Sequence, residues 1–135
     1  MGKMIGLDTN VLVRFLVGDE RRQCELAMRI IDNATKEGTL CFISVVVLCE
    51  LVWVLESAYG YRREEIADLL ERLLSARQFF VDEKDTVYSA VRDYRRGKAD
   101  LADYLIGRLN RTAGCEVTVT FDKTLKDDAH FRLLG

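Results

Sequence analysis

The chain contains no proline, one histidine and one tryptophan, and its 20 basic residues are outnumbered by 22 acidic ones. Without proline, and without any low-complexity or linker-like tract, nothing divides the 135 residues, and we expect one domain over residues 1–135. The lone His130 lies in a charged stretch beside Asp127 and Asp128 and reads as a surface residue, so a mechanism built on a histidine base finds little support. A net charge of −2 excludes an overall basic field that would draw the protein onto nucleic acid. No apolar run is long and uninterrupted enough to cross a bilayer. The opening Met1-Gly-Lys-Met-Ile-Gly6 lacks the apolar core and cleavage site of a signal peptide. A soluble, cytoplasmic protein is expected. Cys24, Cys41, Cys49 and Cys115 form no C-x-x-C pair and sit in apolar stretches, which favours buried thiols over disulfides or zinc.

Charge is present in local groups: Arg62-Arg63, then Arg92, Arg95, Arg96 and Lys98, then Arg108 and Arg111. Such groups are usually solvated helix faces, yet the 92–98 group would suffice for contacts to phosphate.

The hydrophobic pattern alternates short β-like runs with helical ones. Met4–Leu7 reads as a strand ending at Asp8, and Asn10–Val17 as a short helix closed by Gly18 as a left-handed cap. Cys24, Ala27, Met28 and Ile31 recur at helical spacing. Leu40–Ile43 reads as a strand buried on both faces, and Ser44 as the cap of a helix running to about Tyr59. Ile66, Leu69, Leu70, Leu73 and Leu74 mark an amphipathic helix. Phe79–Val81 forms a third strand, residues 85–97 a helix closed by Gly97, and Leu101, Leu105, Ile106 and Leu109 another. Residues 116–120 make a fourth strand and 131–134 a short fifth. Strands separated by helices imply βαβ units, so the expected fold is a three-layer α/β/α domain around a central parallel sheet of four or five strands. Sites in such sheets form beyond the carboxyl ends of the strands, which is where Asp8 and Asp122 fall.

Four carboxylates draw notice, and each has a plainer role to set against a functional one. Asp8 stands at a strand-to-helix junction where Asp commonly caps, although Thr9 and Asn10 offer competing caps. Glu50 lies among Val46, Val47, Trp53 and Val54 on a helix apolar nearly all round. A carboxylate buried there needs a partner: a metal, or a core cation such as Arg14. Asp100 reads as an N-cap and Asp103 as the third residue of that helix, both favourable to its dipole. Of the two, Asp103 lies nearer the apolar border and is the better site candidate. Asp122 follows the fourth strand, where a turn Asp is ordinary. Taken together, several like charges at one sheet edge repel unless a cation compensates. Oxygen ligands without His or Cys select Mg²⁺ or Mn²⁺, and such a metal suits phosphodiester hydrolysis without a protein nucleophile.

Four stretches now fall into a known order: Leu7-Asp-Thr-Asn-Val-Leu-Val-Arg14, Ser44-Val-Val-Val-Leu-Cys-Glu50-Leu-Val-Trp-Val-Leu55, Asp100-Leu-Ala-Asp103-Tyr-Leu-Ile106 and Thr120-Phe-Asp122-Lys123. On these the chain resembles PIN-domain ribonucleases, specifically the VapC-like toxins of toxin–antitoxin pairs. The resemblance implies that Asp8, Glu50, Asp103 and Asp122 are the metal-binding acids, with Thr9, Asn10 and Thr120 close by. It further implies cleavage of single-stranded or loop RNA by metal-activated water, a homodimer, and inhibition by a cognate antitoxin protein. The chain lacks the proline many relatives have near Ser44 and carries Leu101 where an aromatic is frequent; these positions concern packing and capping. A haloacid-dehalogenase-like phosphatase would need a second Asp two residues after Asp8 and a Thr two beyond it, where Asn10 and Leu12 stand. A catalytically silent PIN-like RNA-binding or interaction scaffold is the alternative, and loss of an acid would mark it; all four are present.

Overall fold

The computed structural model describes residues 2–135. Its elements run β1 (Met4–Gly6), α1 (Thr9–Val17), α2 (Arg21–Lys36), β2 (Leu40–Ile43), α3 (Val45–Ser57), α4 (Arg63–Ser75), β3 (Phe79–Val81), α5 (Lys84–Arg96), α6 (Leu101–Thr112), β4 (Thr118–Thr120), a 3₁₀ turn (Lys123–Leu125) and β5 (Phe131–Leu133). All strand pairs are parallel, a pairing that needs the long connections found between them. The α/β class is therefore as expected.

The strand count is not. Instead of one sheet of four or five strands, β1-β2-β3 form one sheet and β4-β5 a separate pair. Only Thr118–Thr120 of the expected 116–120 run is extended, which leaves a three-residue strand bonded to β5 alone. Nor is β2 buried on both faces. Cys41 and Ile43 are fully buried while Leu40 and Phe42 are only partly so. Register places Met4 beside Leu40 and Phe42 beside Phe80, so these four share the more open face, with Met4 and Phe80 about half exposed. The opposite face, with Cys41, Ile43, Phe79 and Val81, joins Leu12, Ile31, Leu48, Leu70 and others in the core.

Local chemistry accounts for most helix ends. Gly18 takes a left-handed φ of 71°, and its N–H closes α1 on the Arg14 carbonyl. The Ser44 hydroxyl accepts from the Val47 N–H and starts α3. Helix α2 buries Ala27, Ile31 and Ala34, a stripe turned away from the expected one, so that Met28 is about half exposed.

Two ties place the start of α6. The Arg63 guanidinium lies 4.2 Å above the Tyr94 ring and donates to the carbonyls of Tyr94 and Ala99, both at 2.8 Å. Tyr94 in turn donates its hydroxyl to Glu56 at 2.8 Å. Helices α3, α4 and α5 are thus joined to the turn from which Asp100 and Asp103 emerge. Of the cysteines, Cys41 is buried and Cys24 and Cys49 partly so, as expected of packing thiols, whereas Cys115 is exposed. It lies in the loop after α6 rather than in an apolar segment.

Candidate metal-binding site

Asp8 is the N-cap of α1. Its Oδ1 accepts from the Thr9 N–H at 2.9 Å, so Asp8 itself performs the capping for which Thr9 and Asn10 offer competing candidates. Thr9 is buried and donates its hydroxyl to Glu50 Oε1 at 2.6 Å. That bond ties α1 to α3 and brings two of the four acids to one threonine.

Glu50 does not sit where the apolar pattern of its helix put it. The residue is exposed, and it shares an outward face of α3 with Val46 and Trp53, 68% and 69% exposed. Arg14 is not its partner either. The Arg14 side chain bonds Gln23, Asp19 and Tyr59. A structural ion pair within the core is therefore excluded as the reason for Glu50.

Asp103 and Asp122 form the second group. Asp103 Oδ2 accepts from the Asp100 N–H at 3.2 Å, half of a capping box at the start of α6. Burial raises its carboxyl above the usual range; the Asp100 N–H pulls against this, and the charges of Asp100 and Asp122 add to it. Asp122 is the N-cap of the 3₁₀ turn. Its Oδ1 accepts from the Thr124 hydroxyl at 2.7 Å and the Thr124 N–H at 2.9 Å, and these bonds hold its pKa below the usual value. Thr124 was not singled out from sequence, although an Asp followed two residues on by Thr is an Asx-turn signal.

Among the described residues, no group of three or more His, Cys, Asp or Glu is arranged to hold a metal ion. Thr9 links Asp8 and Glu50, the charge of Asp122 acts on Asp103, and each acid accepts from a local donor that favours its charged form. Yet each commits one oxygen only. Among the described residues no hydrogen bond reaches Asp8 Oδ2, Glu50 Oε2, Asp103 Oδ1 or Asp122 Oδ2. A hard divalent cation takes such oxygens, so the donor chemistry fits Mg²⁺ or Mn²⁺.

The basic groups contribute less than their sequence suggests. Arg95 is held by Asp68 and Glu71 and Arg108 by Asp93, which leaves Arg92, Arg96 and Lys98 of the 92–98 group at the surface without ion pairs among the described residues.

The opposed shifts of Asp103 and Asp122 predict opposed pH effects on the metal-free protein. A carboxyl whose folded pKa is raised binds its proton more tightly when folded, so its ionisation costs stability as pH rises through the carboxylate range. Asp103→Asn removes that cost. In EDTA it should raise the unfolding temperature at about pH 7 and lose the gain near pH 3, where Asp103 is protonated in both states. Asp122 contributes stability above its unfolded pKa that is lost as pH falls through its lower folded pKa, so Asp122→Asn should lower the unfolding temperature at about pH 7 and by less near pH 3. Thermal melts of both variants at the two pH values check this; shifts of the same sign would contradict it.

A family model for the PIN domain matches residues 5–130, which takes in every strand except the first residue of β1 and the last of the fold, and all four acids. The chain belongs to the PIN domain family. It is also 29% identical over 120 residues to the VapC ribonuclease of Aquifex aeolicus (strain VF5), across 89% of this chain and 88% of that protein. The chain is thus a VapC-like PIN domain, and no helix among the described residues is long and apolar enough to cross a membrane.

Proposed function

We propose that this PIN domain is a Mg²⁺- or Mn²⁺-dependent endoribonuclease that hydrolyses RNA phosphodiester bonds, with Asp8, Glu50, Asp103 and Asp122 as its metal-binding and catalytic acids. The observation that carries the reading is the spare oxygen on each of these four side chains, every one of them steadied by a protein donor on its other oxygen. Similarity to a protein named VapC ribonuclease supports the substrate class.

When bound, the metal supplies Lewis-acid polarisation of a phosphoryl oxygen and a lowered pKa for the attacking water. The chain's own residues do the positioning. Asp8 is aimed by the end of β1 and by the first turn of α1. Thr9 orients Glu50 through its hydroxyl, and the Asp100 N–H and Thr124 fix Asp103 and Asp122. Preorganised carboxylates of this kind lose little entropy when the substrate complex forms.

The test is incubation of purified protein with a mixed RNA pool. Cleavage should appear with Mg²⁺ or Mn²⁺, poorly with Ca²⁺, whose looser coordination suits the site less, and should stop in EDTA. Undiminished cleavage in EDTA would sink the mechanism. RNA retention without cleavage under any metal would favour the silent scaffold instead.

On the strength of the same similarity we propose that the protein is the toxin of a toxin–antitoxin pair, held by a cognate antitoxin protein, and that it works as a homodimer. The exposed Val46 and Trp53 of α3 support a contact with another chain. Growth arrest on expression, relieved by the neighbouring gene product, and a dimer mass by light scattering are the expected results; a harmless, RNA-cleaving monomer would refute both.

A further inference from the structure

The β4-β5 pair presents an outward face that nothing in the fold covers. Val119 pairs with Arg132 in register, so their side chains leave the sheet on one side, and both are exposed. Two residues on from Val119, Phe121 is 78% exposed, the highest value among the large apolar residues at the surface. The turn behind it is held firmly. The Asp122 N–H donates to Thr120 Oγ1 at 3.0 Å, Thr124 bonds Asp122, and the Leu134 N–H donates to the Thr120 carbonyl at 2.7 Å. Phe121 is therefore fixed in the solvent by its backbone. It is also the residue immediately before Asp122.

Two cations lie near it in sequence and register. Lys123 and Arg132 are exposed and make no ion pair among the described residues, whereas Arg14, Arg21, Arg62, Arg95 and Arg108 are each paired with a carboxylate. An exposed aromatic ring with one unpaired cation two residues on and another in register with Val119 matches a base and its flanking phosphates. A protein contact there would have to bring a carboxylate to each cation.

We propose that Phe121 is a positioning residue that stacks on a base of single-stranded RNA, while Lys123 and Arg132 take adjoining phosphates and lead the backbone across Asp122. This rests on the ribonuclease reading for the identity of the polymer. Stacking needs an unpaired base, so the platform selects single strands over duplex.

The test is binding of a short, fluorescein-labelled single-stranded RNA in Ca²⁺, with the RNA checked for integrity afterwards. Phe121→Ala should weaken binding at least about 5-fold, the lower range for a lost base–aromatic stack, and Phe121→Trp should restore it. Affinity for the matching duplex should not change. Arg132→Ala should flatten the salt dependence of binding by about one phosphate contact. In Mg²⁺, the Phe121→Ala loss should appear in KM rather than kcat. Wild-type affinity in Phe121→Ala, a loss confined to kcat, or no single-strand binding by the wild type would overturn the proposal. So would a dimer that dissociates on Phe121→Ala while its RNA affinity stays intact, because the ring would then be a protein contact. The two readings fail separately: absence of wild-type cleavage removes the ribonuclease, and cleavage with unaltered Phe121→Ala binding removes only the platform.

Discussion

Glu50→Gln should reduce Mg²⁺-dependent RNA cleavage by at least about 100-fold and leave the unfolding temperature in EDTA unchanged or slightly raised. Even outer partners of a metal ligand are worth about 10–100-fold, so a carboxylate proposed as a ligand itself should cost at least the upper figure. The stability half of the expectation comes from the surroundings of the residue. Glu50 is exposed, and among the described residues its one bond is from the Thr9 hydroxyl at 2.6 Å, which an amide oxygen accepts equally well. Arg14, the cation that a structural role would require, is occupied by Asp19, Gln23 and Tyr59, so no buried charge is stranded. Removing one negative charge from near Asp8 relieves repulsion in the metal-free protein. Thermal melts in EDTA and initial rates in Mg²⁺, on one preparation, read both halves. A clearly destabilised variant with near-normal rates would mean that Glu50 is structural, and the site would contract to three aspartates.

The helix–strand alternation was legible because periodicity and caps are local: Gly18, Ser44 and Asp100 act at the positions their chemistry implies. The surroundings of Glu50 were not. A helical wheel shows that Val46 and Trp53 flank it but not whether another element of the same chain packs over them, and none does. The sheet failed for a related reason. Five strand-like runs can be counted in sequence, but whether a short run such as Thr118–Thr120 bonds to β1 or only to β5 depends on backbone separation, which side-chain pattern does not encode. The sequence marks Asp8, Asp103 and Asp122 as candidates by their places near strand and helix ends, and Glu50 by its place within the apolar α3. That Thr9 links Asp8 to Glu50 and that the charge of Asp122 reaches Asp103 are tertiary effects, which the pattern does not encode. Exposure at Phe121 was equally hidden, since Val-Thr-Phe reads the same in a buried strand as at a surface edge.

Gly97→Ala should destabilise the protein by about 3 kcal/mol, the upper range for overpacking a core, which for a domain of this size lowers the unfolding temperature by roughly 10 °C. Sequence pattern marks Gly97 as the residue that closes its helix, and its φ of −96° and ψ of −166° are open to any residue, so backbone strain is not the issue. Space is. A Cβ at this position would lie 1.8 Å from Tyr104 Oη, 2.8 Å from its Cζ and 3.0 Å from the Asp93 carbonyl oxygen. Tyr104 is buried, and its hydroxyl accepts from the Ala99 N–H at 3.3 Å, so the ring cannot swing aside without giving up that bond and disturbing the start of α6. Asp103 is the preceding residue, and cleavage should therefore fall along with stability, even well below the new melting temperature. The diagnostic is a second substitution. Tyr104→Phe alone should be mildly destabilising, because it leaves the buried Ala99 N–H without an acceptor. In the Gly97→Ala background the same change removes the worst overlap and should be stabilising. Denaturant unfolding of the two single variants and the double variant measures this reversal of sign. If Gly97→Ala unfolds at the wild-type temperature, or if Tyr104→Phe destabilises in both backgrounds, the close approach of the hydroxyl to Gly97 is not what the position requires.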